Sequence, residues 1–265
     1  MKQKIKIGNP FKKLPRIRKG IFALAAMACL LFLASFADNQ RQDLLCKSVN
    51  VNILDKDQFQ FVDNTSISKI VNKDRVDDLI GRKIKQIDLG DIEGRLLKNS
   101  FVKDAQAWFD MQGNLNVQLH QRVPIIRAID PLNQEYYLDA DGKRMPISSV
   151  FTPYVPIATT GKVNIAGFKD SLLRKYDSTL FVLALAIQKD HFMQALTGQI
   201  VVSQNNEISI IPRLGNFEIA LGDINDLDDK FLRLRSFYQV TLPEAGWNTY
   251  KKISVKYKNQ IIANR

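Results

Sequence analysis

Few side chains in this sequence have the chemistry of catalysis or metal binding, and they are scattered along it. The 265 residues contain two histidines, His120 on the polar side of a predicted strand and His191 beside the apolar stripe of a predicted helix. No cysteine or histidine cluster has the spacing of a zinc site. Neither a Gly-x-Ser-x-Gly elbow nor a glycine-rich phosphate loop is present. We therefore expect no enzymatic activity, no cofactor and no bound metal.

An acidic turn resembles the beginning of a calcium loop. Asp139 and Asp141 lie in the stretch LDADGK, which has the Asp-x-Asp-Gly order. A full calcium loop ends with a glutamate at its twelfth position, and Val150 occupies that position here. The stretch therefore predicts a turn without a metal.

The last residues, YKKISVKYKNQIIANR, could instead bind a partner through backbone hydrogen bonds. Ile253, Val255 and Tyr257 alternate with polar residues, as in a strand, and the turn signal at 258–260 is followed by two isoleucines. We expect 261–264 to return as a short final strand at a sheet edge. An open edge exposes unpaired N–H and C=O groups that a partner strand can complete, and we expect proline at Ile262 to block one of them. The alternative is that Tyr257 fills the core and that Ile261 and Ile262 merely cap it.

The beginning of the chain is strongly basic. Eight of the 38 Lys and Arg residues fall within residues 1–19, with no Asp or Glu among them, whereas the remainder has 30 basic and 27 acidic residues. Residues 20–37, GIFALAAMACLLFLASFA, are uncharged and long enough to cross a hydrocarbon core of about 30 Å. The positive-inside rule places the arm in the cytoplasm and the rest of the chain outside it. We predict a basic cytoplasmic arm at 1–19, a transmembrane helix at 20–37, and no binding of nucleic acid.

Other interpretations of this segment exist. Ser35 and Ala37 have the small side chains that a signal peptidase accepts. Cys29 follows an alanine, as in a lipoprotein site, but the apolar run continues beyond it. An uncleaved anchor fits the length of the run best.

The remaining chain predicts an α+β fold in two parts. After a polar stalk at 38–46, residues 47–123 show a strand, two helices and a hairpin, in the order βααββ, with the first helix capped by Asn64 or Ser66 and the second beginning after Asp88. From 124 to 265, short strand patterns are separated by Pro and Gly. Helical periodicity interrupts them at 170–196 and 226–238. We predict a three-stranded sheet with both helices on one face, followed by a mostly antiparallel β domain with packed helices.

The order of these motifs resembles that of the FtsQ/DivIB bacterial cell-division family. The resemblance rests on FVKDAQAWFDMQGNLNVQLHQRVPIIRAI, YYLDADGKRMP and YVPIATTG, and later on IIPRLGNFEIALG, DDKFLRLRSFY and ISVKYKNQ. It extends over the basic arm and the apolar span as well. Gln121 stands where the family commonly has Glu, and a neutral amide can still accept a hydrogen bond.

The resemblance implies a function as well as a fold. It identifies 47–123 as a polypeptide-transport-associated (POTRA) domain and 124–265 as the family's β domain. It implies a non-catalytic scaffold in the inner membrane at the division septum, with a periplasmic C-terminal region that recruits FtsB and FtsL homologues and other divisome proteins and takes no small-molecule substrate. Carried over by position, the partner-binding residues are Tyr257, Asn259, Ile261, Ile262 and Asn264.

Two functions from other classes compete with the scaffold. An extracytoplasmic enzyme needs a cluster of titratable side chains in a cleft, and the sequence offers none that we can assemble. A secreted POTRA-bearing assembly factor would lack the anchor, so finding the basic arm on the mature membrane-bound protein discriminates between that factor and the scaffold.

Overall fold

The computed structural model describes residues 24–30, 44–72, 79–161 and 170–265. The predicted basic arm lies outside the described residues, and so does the predicted span except for 24–30, which are helical and exposed. No helix in the described ranges is long and apolar enough to cross a membrane. Of the predicted stalk, only 44–46 are described.

From residue 44 onward the described residues contain twelve strands and six α-helices, with a short 3₁₀ helix at Ile84–Gln86 and a π-helical segment at Phe237–Thr241. The strands are β1 Ser48–Ile53, β2 Val102–Phe109, β3 Asn114–Gln121, β4 Pro124–Ile129, β5 Glu135–Asp139, β6 Arg144–Pro146, β7 Ile157–Thr160, β8 Thr197–Val202, β9 Ile208–Pro212, β10 Glu218–Gly222, β11 Lys252–Ser254 and β12 Ile262–Asn264. The α-helices are α1 Asn64–Val71, α2 Leu89–Leu97, α3 Asp170–Lys189, α4 His191–Leu196, α5 Leu227–Ser236 and α6 Leu242–Ala245.

The first sheet has the strand order β1-β3-β2, with β1 parallel and β2 antiparallel to β3. Its core joins both helices to the sheet through fully buried side chains, among them Ile67, Ile92, Leu96 and Leu115. Asp63 caps α1, because its carboxylate accepts the Ser66 amide while the Ser66 hydroxyl accepts the Asp63 amide. The βααββ prediction is confirmed, whereas the predicted cap at Asn64 or Ser66 is wrong by one to three residues.

The second sheet has nine strands in the order β12-β11-β10-β9-β8-β7-β4-β5-β6. Among the described residues, five of its eight pairings are antiparallel, and β4–β7, β7–β8 and β10–β11 are parallel. Parallel neighbours need a long crossover, and the helices supply two of them, α3 with α4 before β8 and α5 with α6 before β11. The sheet is therefore mostly antiparallel, as predicted, but its helices also connect parallel strands.

The helices of this domain differ in detail from the predicted ones. The helix predicted at 170–196 is broken at Asp190, whose carboxylate accepts the amides of Phe192 and Met193 at 2.9 and 3.1 Å and so begins a new helix. The helix predicted at 226–238 begins at Leu227 and continues as the π-helical segment and α6 to Ala245. His191 is the exposed first residue of α4.

An aromatic cluster joins the two domains. Phe61 of the first domain stacks on Phe101 with ring centroids 5.0 Å apart and meets the edge of Phe151 at the same distance. Tyr137 and Met145 of the second domain are buried against Phe61. Aromatic pairs of this kind contribute about 0.5–1.5 kcal/mol each beyond the area they bury, so the cluster holds the domains to each other.

Gln121 lies at the same junction and is almost fully buried. Its side-chain oxygen accepts the amides of Phe61 and Val62 at 2.9 and 3.1 Å. Its side-chain nitrogen donates to the Phe59 carbonyl at 2.6 Å and to Asp55 at 3.4 Å. The amide thus both accepts and donates, which a carboxylate cannot do.

We therefore expect Gln121→Glu to destabilise this protein at neutral pH, by about 1–3 kcal/mol, because the second carboxylate oxygen would face the Phe59 carbonyl. This environment would raise the pKa of the introduced carboxyl group in the folded state. In acid, where the introduced carboxyl group would be protonated and would donate again, the free energy of unfolding of the variant should equal that of the wild type. It should fall below the wild-type value as the pH rises through that raised pKa. Urea unfolding at several pH values measures the difference, and a constant difference would contradict the interpretation.

Candidate functional site: a free strand edge

β12 is a free edge of the nine-stranded sheet, and within the part of the chain that the structure describes it pairs only with β11. Three residue pairs join the two strands, Lys252 with Asn264, Ile253 with Ala263 and Ser254 with Ile262. A final strand formed by residues after the turn is therefore present, as the sequence predicts.

The register decides which backbone groups of β12 face outward. The Val255 amide donates to the Ala220 carbonyl, so Val255 and Ile253 direct their backbone groups to β10. Hydrogen bonding alternates along a strand, so Ser254 and Lys252 direct theirs to β12, where their partners are Ile262 and Asn264. At the end of this ladder the Lys251 amide donates to the Asn264 carbonyl at 2.9 Å. Ala263 is thus the residue of β12 whose N–H and C=O face the open edge.

This arrangement corrects one expectation. Proline at Ile262 would remove a hydrogen bond between β12 and β11 rather than block an edge amide. The sequence pattern identifies the strand but not this direction, because the direction depends on the parallel pairing of β11 with β10, which lies before α5 in the chain.

The five sequence-predicted contact residues occupy different environments. Tyr257 is 51% exposed and Ile262 is 41% exposed, so neither fills the core. Ile261 is partly buried and packs against the core of the β domain, as the alternative interpretation had it. Asn259 is exposed with a φ of 58°, in the left-handed region of the turn, and Asn264 is exposed at the end of the strand. All five therefore lie on or next to the free edge, on different sides of it.

An open groove runs beside this edge, with a volume of about 470 Å³. One wall is formed by the turn residues Asn259, Gln260 and Ile261, and the other by α5 and the π-helical segment. Leu232 and Val240 line it and are 60% and 61% exposed. π-Helical segments are often found at functional sites. Leu232 and Val240 are not among the residues predicted from the sequence, and the signal that points to them is their apolar character on an otherwise polar helix face.

β12 is a short strand, and its side chains carry neither a charge nor a proline ring. Natural edge strands are commonly protected by charge, proline or a covering element, whereas the residues of β12 are Ile, Ala and Asn. The opposite edge, β6, ends in Pro146. At the edge strand β2 of the first sheet, the Ala107 amide donates to the Glu93 carboxylate at 2.8 Å. β12 is thus an edge without charge or proline, as is β1 of the first sheet, and the apolar groove beside β12 favours it as the edge that accepts another strand.

Basic side chains near this edge are tied to acidic ones. Lys252 lies 3.3 Å from Glu218, and Lys258 lies 3.0 Å from Asp226. Lys256 bonds to Glu207, and this hydrogen bond raises the pKa of the Lys256 ammonium. Lys256 therefore remains positively charged at neutral pH.

The other candidate residues from the sequence do not form a second site. His120 is exposed, with Nδ1 3.7 Å from Asp55. One oxygen of Asp139 accepts the amides of Asp141 and Lys143 at 2.9 and 2.7 Å, which confirms the predicted turn. Within the described ranges, no group of three or more His, Cys, Asp or Glu side chains is placed to hold a metal ion.

Comparison with known families gives two matches. Residues 123–264 match the family model described as FtsQ/DivIB, C-terminal related, and residues 44–120 match the model of a POTRA-like domain. No curated protein matches the chain significantly. The two matched stretches meet at Gln121 and Arg122, the residues at the domain junction.

Proposed function

The chain belongs to the FtsQ/DivIB family of bacterial cell-division proteins, and from this premise we propose that it is a membrane-anchored, non-catalytic scaffold of the division machinery. Its extracytoplasmic β domain, residues 124–265, would recruit FtsB and FtsL homologues by accepting a partner strand at β12. The observation that carries the proposal is the free, uncharged edge of β12 beside an apolar groove.

Strand addition at this edge has a clear physical basis. A partner segment that pairs with Ala263 would satisfy the outward N–H and C=O of that residue, and its side chains would extend on both sides of the sheet. On one side they would meet Ile262, and on the other the groove with Leu232 and Val240. Tyr257, half exposed on the turn, has the amphipathic character common in interface anchors.

The basic arm and the apolar span support the membrane part of the proposal. Residues 1–19 would lie in the cytoplasm, 20–37 would cross the inner membrane, and the stalk at 38–46 would lead to the POTRA-like domain at 47–123 in the periplasm. The family of division proteins acts at the septum, which is the location we propose for this chain.

The proposal is tested by titrating the full chain in lipid nanodiscs with the outer segments of the FtsB and FtsL homologues from the same organism. We expect saturable binding, and we expect hydrogen exchange at the Ala263 amide to slow in the complex because that amide gains an acceptor. Exchange in β8 and β9 serves as the internal control and should not change. Absence of binding would refute the assignment of these partners, and binding without protection at Ala263 would place the interface elsewhere.

A further inference from the structure

Arg233 of α5 is bonded to the turn that leads into β12. Its Nη1 donates to the carbonyls of Tyr257 and Gln260 at 2.8 and 2.5 Å, and its Nη2 donates to the carbonyl of Val255 at 3.1 Å. Its Nε donates to the Asp229 carboxylate at 2.9 Å. The Arg233 side chain is 14% exposed. One largely buried side chain therefore donates hydrogen bonds to three backbone carbonyls.

The strand that this turn positions is short, although Ile261 and Ala263 pack against the core of the β domain. β12 is three residues long, with three pairs to β11 and a free outer side. Its turn includes Asn259 in the left-handed region, a conformation that costs energy for most residues other than glycine. An ion pair between Lys258 and Asp226 also ties the turn to the domain, but the two side chains are 81% and 50% exposed, and exposed pairs contribute little.

Arginine suits this position better than lysine. Its planar guanidinium presents five donors in a fixed fan, so it can bond to an aspartate and to several carbonyls at once. The Asp229 carboxylate lies one helical turn before Arg233 and orients the group. A lysine would retain the positive charge but would reach fewer of the three carbonyls.

We infer that Arg233 is the positioning residue of the docking edge: it holds β12 in register against β11 before any partner arrives, and thereby raises the affinity for a strand-adding segment. This inference rests on the proposed function. A partner binds only to molecules in which β12 is in place, so its apparent Kd rises in inverse proportion to that fraction. If loss of Arg233 leaves β12 in place in about one molecule in ten, the apparent Kd rises about tenfold.

The test compares Arg233→Ala and Arg233→Lys with Arg235→Ala in the full chain in nanodiscs. Arg235 is a matched control, since it lies on the same helix and its Nη2 is 2.7 Å from Asp190, far along the chain from the turn. For each variant, hydrogen exchange is measured at residues 258–264 and in β8 and β9, and Kd is measured with the outer segments of the FtsB and FtsL homologues.

We expect Arg233→Ala to accelerate exchange at 258–264 by at least about tenfold and to raise Kd by about tenfold, with exchange in β8 and β9 unchanged. Arg233→Lys should fall between Arg233→Ala and the wild type, and Arg235→Ala should behave as the wild type. Equal acceleration in β8 and β9 would make Arg233 a general stabilising residue and overturn the inference. Faster exchange at 258–264 with an unchanged Kd would overturn it too.

Two further outcomes are distinguishable. If the wild type binds neither segment, the proposed function fails and the docking role of Arg233 fails with it, while the exchange data still report whether Arg233 holds the strand. If Arg233→Ala does not fold, Arg233→Lys decides: intermediate exchange and Kd support the inference, and wild-type values for both overturn it.

Discussion

Replacing Asp139 by alanine is expected to lower the free energy of unfolding by about 3–5 kcal/mol. Asp139 is 2% exposed, and its Oδ2 accepts a hydrogen bond from Arg122 Nη1 at 2.7 Å. The substitution would leave the Arg122 guanidinium, itself 10% exposed, as a buried charge without its partner. It would also remove the acceptor of the Asp141 and Lys143 amides and so loosen the β5–β6 turn. Urea unfolding followed by circular dichroism gives the difference.

A neighbouring exposed ion pair provides the control. Lys103 lies 2.9 Å from Asp141, and the two side chains are 45% and 52% exposed. Because exposed pairs contribute at most about 1 kcal/mol, Lys103→Ala should change the stability far less than Asp139→Ala. Equally small effects from the two substitutions would show that the buried pair does not stabilise the fold.

The buried pair also connects the domains. Arg122 follows β3 of the first sheet, its amide donates to the Phe101 carbonyl at 2.8 Å, and its side chain reaches β5 of the second sheet. We expect Asp139→Ala to weaken the aromatic cluster around Phe61 as well, because that cluster lies at the same junction. Near-ultraviolet circular dichroism in the folded baseline should therefore change along with the stability.

Local patterns predicted the strands and helices well where hydrophobic periodicity was strong. The hairpin of β2 and β3 follows from the alternation of apolar and polar residues around the Gly113 turn, and Gly113 adopts a φ of 90° there. In the predicted helix at 226–238, Leu227, Phe231, Leu234 and Tyr238 recur at helical spacing, and all four are buried. These features depend on neighbours close in sequence, which is why the sequence alone was sufficient.

Features that depend on distant partners were not predictable in this way. The only sign in the sequence of the helix break at Asp190 is that an aspartate can cap a new helix. No local pattern indicates that the helix beginning at Leu227 continues through the π-helical segment. Leu232 and Val240 are exposed on the helical surface, and they form a groove wall only because the turn at 258–260 lies opposite. The outward direction of Ala263 follows from the β10–β11 pairing, which a helical crossover separates in the chain.

Because the Ala263 N–H faces the open edge, Ala263→Pro is expected to impair partner binding strongly. We expect the substitution to raise the Kd for the outer segments of the FtsB and FtsL homologues by about 100-fold. Strand addition would turn β12 into an interior strand, where proline removes a ladder hydrogen bond and is rarely tolerated. In the free protein the Ala263 amide faces outward, so the free energy of unfolding should change by no more than about 1 kcal/mol. Titration and urea unfolding measure the two quantities on the same preparation.

Two other variants separate the edge amide from the side chain and from the strand itself. Ala263→Ser retains the amide at nearly the same size and should bind as the wild type. Ile262→Pro removes a hydrogen bond to β11, so it should lower the stability and the affinity together. If Ala263→Pro binds as tightly as Ala263→Ser, the backbone of β12 does not accept a partner strand, and the exposed side chains of the groove would have to account for any binding. If both proline variants lose affinity and only Ile262→Pro also loses stability, the open edge is the docking element. A role of β12 confined to the fold would not lower the affinity of Ala263→Pro while leaving its stability unchanged.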